Sequence, residues 1–153
     1  AGLGATIALF CDIIYASDQA RIGDTHVRAG LVAGDGGAVI WPLLVGVAKA
    51  KELLMTGDII DAAEAERIGL VNKVVPHDQL MPVVMELAQR LASGPALTIR
   101  GTKHTINKHI WNSLNLTLDL GLSIEQRSSG HPDHREAARA FVEKRPPQYK
   151  GTI

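Results

Sequence analysis

The chain has 153 residues, 46% of them hydrophobic, and its sixteen basic and sixteen acidic side chains cancel. That length and apolar content suit one domain with its own core, and the balanced charge excludes the electrostatic footprint of a nucleic-acid binder or a polybasic membrane anchor. No stretch approaches the eighteen or so apolar residues of a membrane span, and no charged-then-apolar leader opens the sequence.

Gly2-Leu3-Gly4 runs directly into the apolar segment from Ala5 to Cys11. A glycine turn feeding a helix brings backbone close to a ligand, and the first helical turn leaves N–H groups unpaired with a partial positive charge. An anion or a developing oxyanion fits there, whereas the plainer reading is a tight turn and close helix packing. The spacing of Gly2, Gly4 and Asp24 also invites a dinucleotide fingerprint, but Ile7 fills the third small position and no strand precedes the glycines. The unsupported start at Ala1 reads as a fragment of a longer polypeptide. Cys11, the lone cysteine, excludes an intrachain disulfide and reads as a small core residue in a reducing compartment.

Asp12 to Ser17 and Gln19 to Gly23 read as short strands with Ser17-Asp18 as the turn between them, and Gly23 to Gly37 as an aperiodic, glycine-rich loop. Ala38 to Pro42 is apolar, with Trp41 as a core or packing aromatic and Pro42 as the turn after it. Val47 to Met55 predicts a helix stopped by Thr56-Gly57, and Asp61 caps a second over Ala62 to Ile68. Val71 to Val75 makes a brief strand. Beyond His77 the pattern is helical throughout: Leu80, Val83, Val84, Leu87 and Leu91 share one face, Ser93-Gly94-Pro95 breaks that helix, and further helices are expected over Ala96 to about Trp111, Leu114 to Ser128, and Pro132 to Glu143. Residues 1 to 76 hold six Lys/Arg against nine Asp/Glu, and residues 77 to 153 hold ten against seven, which makes the second part the better home for a phosphate-bearing ligand.

Four segments together resemble the crotonase (enoyl-CoA hydratase/isomerase) superfamily: Ala1-Gly2-Leu3-Gly4 leading to Ala8-Leu9-Phe10-Cys11-Asp12; Gly30-Leu31-Val32-Ala33-Gly34-Asp35-Gly36-Gly37; Leu54-Met55-Thr56-Gly57 with Ala62-Ala63-Glu64-Ala65-Glu66-Arg67-Ile68-Gly69-Leu70-Val71; and Phe141-Val142-Glu143-Lys144-Arg145-Pro146-Pro147. The resemblance implies an α/β fold, a ββα spiral lacking its N-terminal part over residues 1–76, followed by a helical trimerisation region over 77–153. It implies an acyl-CoA thioester substrate, a homotrimer or hexamer, coenzyme A as part of the substrate and no prosthetic group. The expected reaction is hydration or isomerisation of a 2-enoyl-CoA through an enolate, with thioester hydrolysis, dehalogenation, C–C cleavage or a non-catalytic acyl-CoA-binding subunit as alternatives. A cytoplasmic location is expected, with an organelle such as the mitochondrial matrix left open.

The resemblance also assigns site residues. The Leu3 N–H, flanked by Gly2 and Gly4, corresponds to one of two oxyanion donors, the other lying upstream of Ala1. Thr6 and His26 stand where family hydratases carry two glutamates. Threonine has no useful proton affinity and commonly bonds back within its helix, which is the preferred reading for Thr6. His26 titrates near neutrality and can donate and accept, as proton transfer requires. Asp24 either orients that imidazole or caps the turn after Gly23, capping being preferred, and Asp35 is a candidate base or nucleophile or an ordinary loop residue. Lys144 matches a family lysine that contacts the CoA nucleotide from a neighbouring subunit. Arg100 and Lys103 read as surface residues, Trp111 as a packing aromatic, and His77, His104, His109, His131 and His134 show no metal-ligand spacing; no metal, nucleic acid or membrane partner is expected.

Overall fold

A computed structural model describes residues 1–151. Helix α1 (Leu3–Leu9) follows Gly2, whose φ of 57° turns the chain into it. Strand β1 (Tyr15–Ser17) and β2 (Arg21–Gly23) come next, then a 3-10 turn over His26–Ala29, α2 (Gly37–Val45) and α3 (Val47–Thr56). Strand β3 (Ile59–Asp61), α4 (Ala62–Arg67) and β4 (Lys73–Val75) complete the mixed part. A 3-10 turn at His77–Gln79 leads into α5 (Leu80–Ala92), α6 (Ala96–Ser129) and α7 (Pro132–Val142). The result is an α/β fold with a helical C-terminal region.

Local chemistry explains most boundaries. Gly57 stops α3 in the left-handed region at φ 71°. The Asp61 carboxylate accepts the Glu64 N–H at 2.8 Å and so starts α4. Pro132 opens α7, where the His131 ring accepts the Asp133 N–H at 3.2 Å.

Several sequence expectations are corrected. The first two strands do not form a hairpin: β1 pairs in parallel with β4, Tyr15 opposite Lys73, while β2 runs antiparallel to β3, Arg21 opposite Asp61. β3 has no counterpart in the sequence reading, and β1, β2 and β4 are each trimmed to three residues. The Asn72 side chain replaces one ladder bond, its Oδ1 accepting the Ile14 N–H at 2.7 Å, while the Asn72 backbone N–H donates to the Ile14 carbonyl at 2.8 Å. Pro42 is not a turn but sits inside α2, which tolerates the lost N–H in a nine-residue helix. The two helices expected between Ala96 and Ser128 are one of 34 residues, because Asn112 and Ser113 cost only tenths of a kcal/mol each in a helix that nothing interrupts.

The core gathers around Trp41, which is fully buried, with Leu9, Ile40, Ala50, Leu53, Ala65, Leu70 and Val71. Cys11 is exposed rather than a core residue, since α1 ends at Leu9 and the following turn carries it off the buried face. Trp111 is likewise exposed, on α6, and α5 and α6 contain no buried residue. Leu97, Leu116 and Leu120 on α6 and Phe141 and Val142 on α7 are exposed, with Leu116 and Leu120 one helical turn apart on the same face.

Candidate active site

β2 delivers the chain at Gly23 into the segment that bears the polar residues. Gly23 must be glycine there, because a Cβ would lie 2.8 Å from the Asp58 carbonyl oxygen. The next residue, Asp24, is almost completely buried, and its Oδ1 does two things. It accepts the His26 backbone N–H at 3.1 Å, closing a turn just before the 3-10 segment, and it lies 2.6 Å from His26 Nδ1. One oxygen therefore both holds the turn and orients the ring, through two separate hydrogen bonds. An acceptor at that distance places a proton on Nδ1 and leaves Nε2 for chemistry.

On its other edge the imidazole meets Asp35, with Nε2 3.3 Å from Oδ2. The loop reaches this position through Gly36 and Gly37. A Cβ on Gly37 would lie 2.6 Å from Asp24 Oδ2, and one on Gly36, at φ 114°, would lie 3.1 Å from Thr6 Cγ2. The two glycines thus let the loop pass close to α1 and Asp24 while Asp35 faces the imidazole. Burial pushes the His26 pKa down, but the hydrogen bond to Asp24 and the charges of Asp24, Asp35 and Glu125 outweigh it, so the imidazole holds its proton above the ordinary histidine value.

The first turn of α1 borders the same place: a Cβ on Gly2 would lie 3.9 Å from His26 Cε1. The Gly2 N–H donates to the Gly23 carbonyl at 3.1 Å, and the Gly2 carbonyl accepts from Ala5 and Thr6. Leu3 and Gly4 have first-turn N–H groups without an intrahelical acceptor, and among the described residues no other acceptor reaches them. Thr6 departs from expectation. Its buried Oγ1 has no hydrogen-bond partner among the described residues, so it does not bond back within α1.

Asp24, His26 and Asp35 present ligand atoms within 4.8 Å of one another, a spacing a cation could bridge. The direct bond between Asp24 Oδ1 and His26 Nδ1 already accounts for that approach and uses one donor atom from each. Other expected residues lie elsewhere. Lys103 pairs with Asp12. His77 Nδ1 is 3.1 Å from Ser17 Oγ, and His134 Nδ1 donates to the Ala29 carbonyl at 2.7 Å. Lys144 is exposed in the turn after α7, at φ 51°.

Glu125, on α6, was missed by the sequence reading. It acts on the His26 charge and, with Asp35, Leu122 and Ser129, lines an open cavity of about 430 Å³. The only local signal is Gly121, one helical turn earlier, in an otherwise ordinary amphipathic stretch. A cavity of about 480 Å³ lined by Ala8, Ile13, Leu87 and Leu91 shares no residue with this constellation, so volume alone would misplace the site.

Residues 1–152 match the family described as enoyl-CoA hydratase/isomerase. The chain is 38% identical over 152 residues to a probable mitochondrial enoyl-CoA hydratase of Dictyostelium discoideum, covering 97% of this chain and 53% of that protein. To a crotonyl-CoA hydratase of Syntrophomonas wolfei it is 39% identical over 148 residues, covering 94% and 55%. The crystal structure of an enoyl-CoA hydratase from Mycobacterium avium subsp. paratuberculosis superposes with a TM-score of 0.90 at 33% identity, over 97% of this chain and 61% of that one. The chain spans little more than half the length of these curated relatives.

Proposed function

The chain belongs to the enoyl-CoA hydratase/isomerase family, and from that premise we propose that the protein processes an acyl-CoA thioester, hydrating or isomerising a 2-enoyl-CoA through an enolate. The observation that carries this is the His26 imidazole, held between Asp24 and Asp35 beside the free N–H groups of the α1 first turn. The thioester oxygen lies against the Leu3 N–H, with Gly2 and Gly4 giving the backbone room. Charge developing on that oxygen is stabilised by a donor already in place. In hydration, water adds its oxygen to C3 and gives its proton to Asp35, while the imidazolium gives the Nε2 proton to C2. Transfer of the Asp35 proton back across the 3.3 Å gap restores both groups. Isomerisation uses the same pair, removing a proton from C4 and returning one to C2.

Thr6 hydrogen-bonds the water or the substrate, a role supported by its buried Oγ1, which has no partner among the described residues. Residues 1–76 form the part of the spiral core that carries this site, and 77–153 form the contact of a homotrimer or hexamer, for which the apolar face of α6 argues. Lys144 reaches the CoA nucleotide of a neighbouring subunit. No prosthetic group takes part, coenzyme A entering as part of the substrate. Among the described residues no helix is long and apolar enough to cross a membrane, and a cytoplasmic or organellar matrix setting suits such an enzyme.

Turnover of crotonyl-CoA by the full-length polypeptide, followed by loss of the enoyl-thioester absorbance, tests the reading. Formation of 3-hydroxybutyryl-CoA or of a shifted double bond supports it. Thr6 and His26 at the two glutamate positions favour a second reading, another crotonase reaction such as thioester hydrolysis, dehalogenation or C–C cleavage. Free CoA or a cleaved acyl product identifies that one, and binding without any product identifies a non-catalytic acyl-CoA-binding subunit.

A further inference from the structure

Helix α6 crosses the site loop at backbone contact. A Cβ on Gly34 would lie 2.2 Å from the Gly121 carbonyl oxygen and 2.9 Å from Glu125 Cβ, and one on Gly121 would lie 2.9 Å from the Gly34 carbonyl oxygen. Glycine at both positions therefore lets the two backbones touch. Four residues after Gly121, Glu125 lies on the same helix face, directly beside the segment that bears Asp35.

The two carboxylates share a predicament. Asp35 Oδ1 and Glu125 Oε2 are both buried without a hydrogen-bond partner among the described residues. Neither has a Lys or Arg nitrogen within 4.0 Å, again among the described residues. Uncompensated carboxylate charge away from water is costly, and the cation at hand is the imidazolium of His26. Asp24 shares that imidazolium, bonded to Nδ1 from behind, its Oδ2 also buried without a partner among the described residues, whereas the other charged groups around this turn are committed elsewhere. Arg28 faces Asp58 at 3.8 Å near the end of α3, and His134 on α7 is tied to the Ala29 carbonyl.

We infer that Glu125 is a positioning residue of the site, a third carboxylate that acts through His26 and Asp35 by keeping the imidazole charged and its Nε2–H turned toward Asp35. Its part in turnover rests on the acyl-CoA reading above, whereas its hold on the His26 proton does not. Its charge raises the His26 proton affinity together with those of Asp24 and Asp35. The helical region then does more than join subunits, because it supplies one of the charges that set the protonation of the proton carrier.

The test is an NMR titration of the His26 imidazole in the full-length protein without substrate, comparing wild type with Glu125→Gln, which keeps the shape and removes the charge. The expected result is a loss of about threefold or more in His26 proton affinity. Glu86→Gln on the exposed face of α5 should leave it unchanged. A His26 titration that superimposes on wild type in Glu125→Gln overturns the inference. Should that variant not fold, Glu125→Ala takes its place: the same loss of His26 proton affinity is expected, and a His26 titration that superimposes on wild type overturns the proposal. With crotonyl-CoA, the alkaline limb of the kcat profile in Glu125→Gln moves to lower pH with KM unchanged. Absence of turnover in the wild type defeats the functional reading and leaves the titration result standing.

Discussion

Gly34 and Gly121 meet backbone to backbone, although 87 residues separate them in the chain, with no room for a methyl group on either. That contact locks the loop of Asp35 to the long helix, and it makes both positions sensitive to the smallest substitution. Gly34→Ala should destabilise the full-length protein by about 1–3 kcal/mol, the usual scale of overpacking. Gly101→Ala, at a helix position open on all sides, should instead be neutral or stabilise by up to about 1 kcal/mol. Denaturant midpoints of the two variants check this, and equal effects would remove the argument from close approach.

His26→Gln keeps a hydrogen-bonding side chain beside Asp24 but carries no proton. Turnover by the full-length enzyme should fall about a hundredfold or more, while KM for the thioester barely changes. Steady-state kinetics decide it: wild-type turnover would make His26 a structural residue and Asp35 the next to replace.

The Asp24–His26 bond predicts a pH dependence of stability. The folded pKa of His26 lies above its unfolded value, so the folded state binds the proton more tightly. The stabilisation is fully present below about pH 6.5 and is lost as the pH rises through the folded value. Asp24→Asn removes the charge that favours the imidazolium, so its stability should change less than that of the wild type between about pH 6 and about pH 8. Denaturation curves at the two pH values measure the difference, and an identical change in both proteins would show that Asp24 does not set the His26 proton.

Thr6 carries a buried hydroxyl with no hydrogen-bond partner among the described residues. Replacing it with Val, of nearly the same shape, should leave stability unchanged or raise it by up to about 1 kcal/mol, since no internal hydrogen bond is lost. Turnover should fall if the hydroxyl holds water or substrate as proposed. A clear loss of stability in Thr6→Val would show that Oγ1 has a structural partner.

The exposed apolar residues of α6 should be covered by another copy of the chain. Leu116→Glu in the full-length protein should lower the oligomeric state seen by sedimentation velocity at micromolar concentration. A wild type that sediments as a monomer would contradict the assembly outright.

Short-range chemistry was legible from the residues alone. The glycine turn into α1, the Gly57 stop, the Asp61 cap and the Pro132 start each act within a few residues, so their signals are local. The order of four short segments was likewise enough to identify the family. Pairing was not legible, because three-residue strands carry too little alternation to choose partners some forty to sixty residues away. Nor was the fate of single polar atoms: the joint use of Asp24 Oδ1 by a backbone N–H and an imidazole, and the Thr6 Oγ1 left without a partner among the described residues, depend on what packs against them. Glu125 shows the limit most plainly. In sequence it is one more charge on an amphipathic helix, and only the contact of Gly34 with Gly121 brings it to the imidazole, because a charge gains its meaning from the low-dielectric space that tertiary packing creates around it.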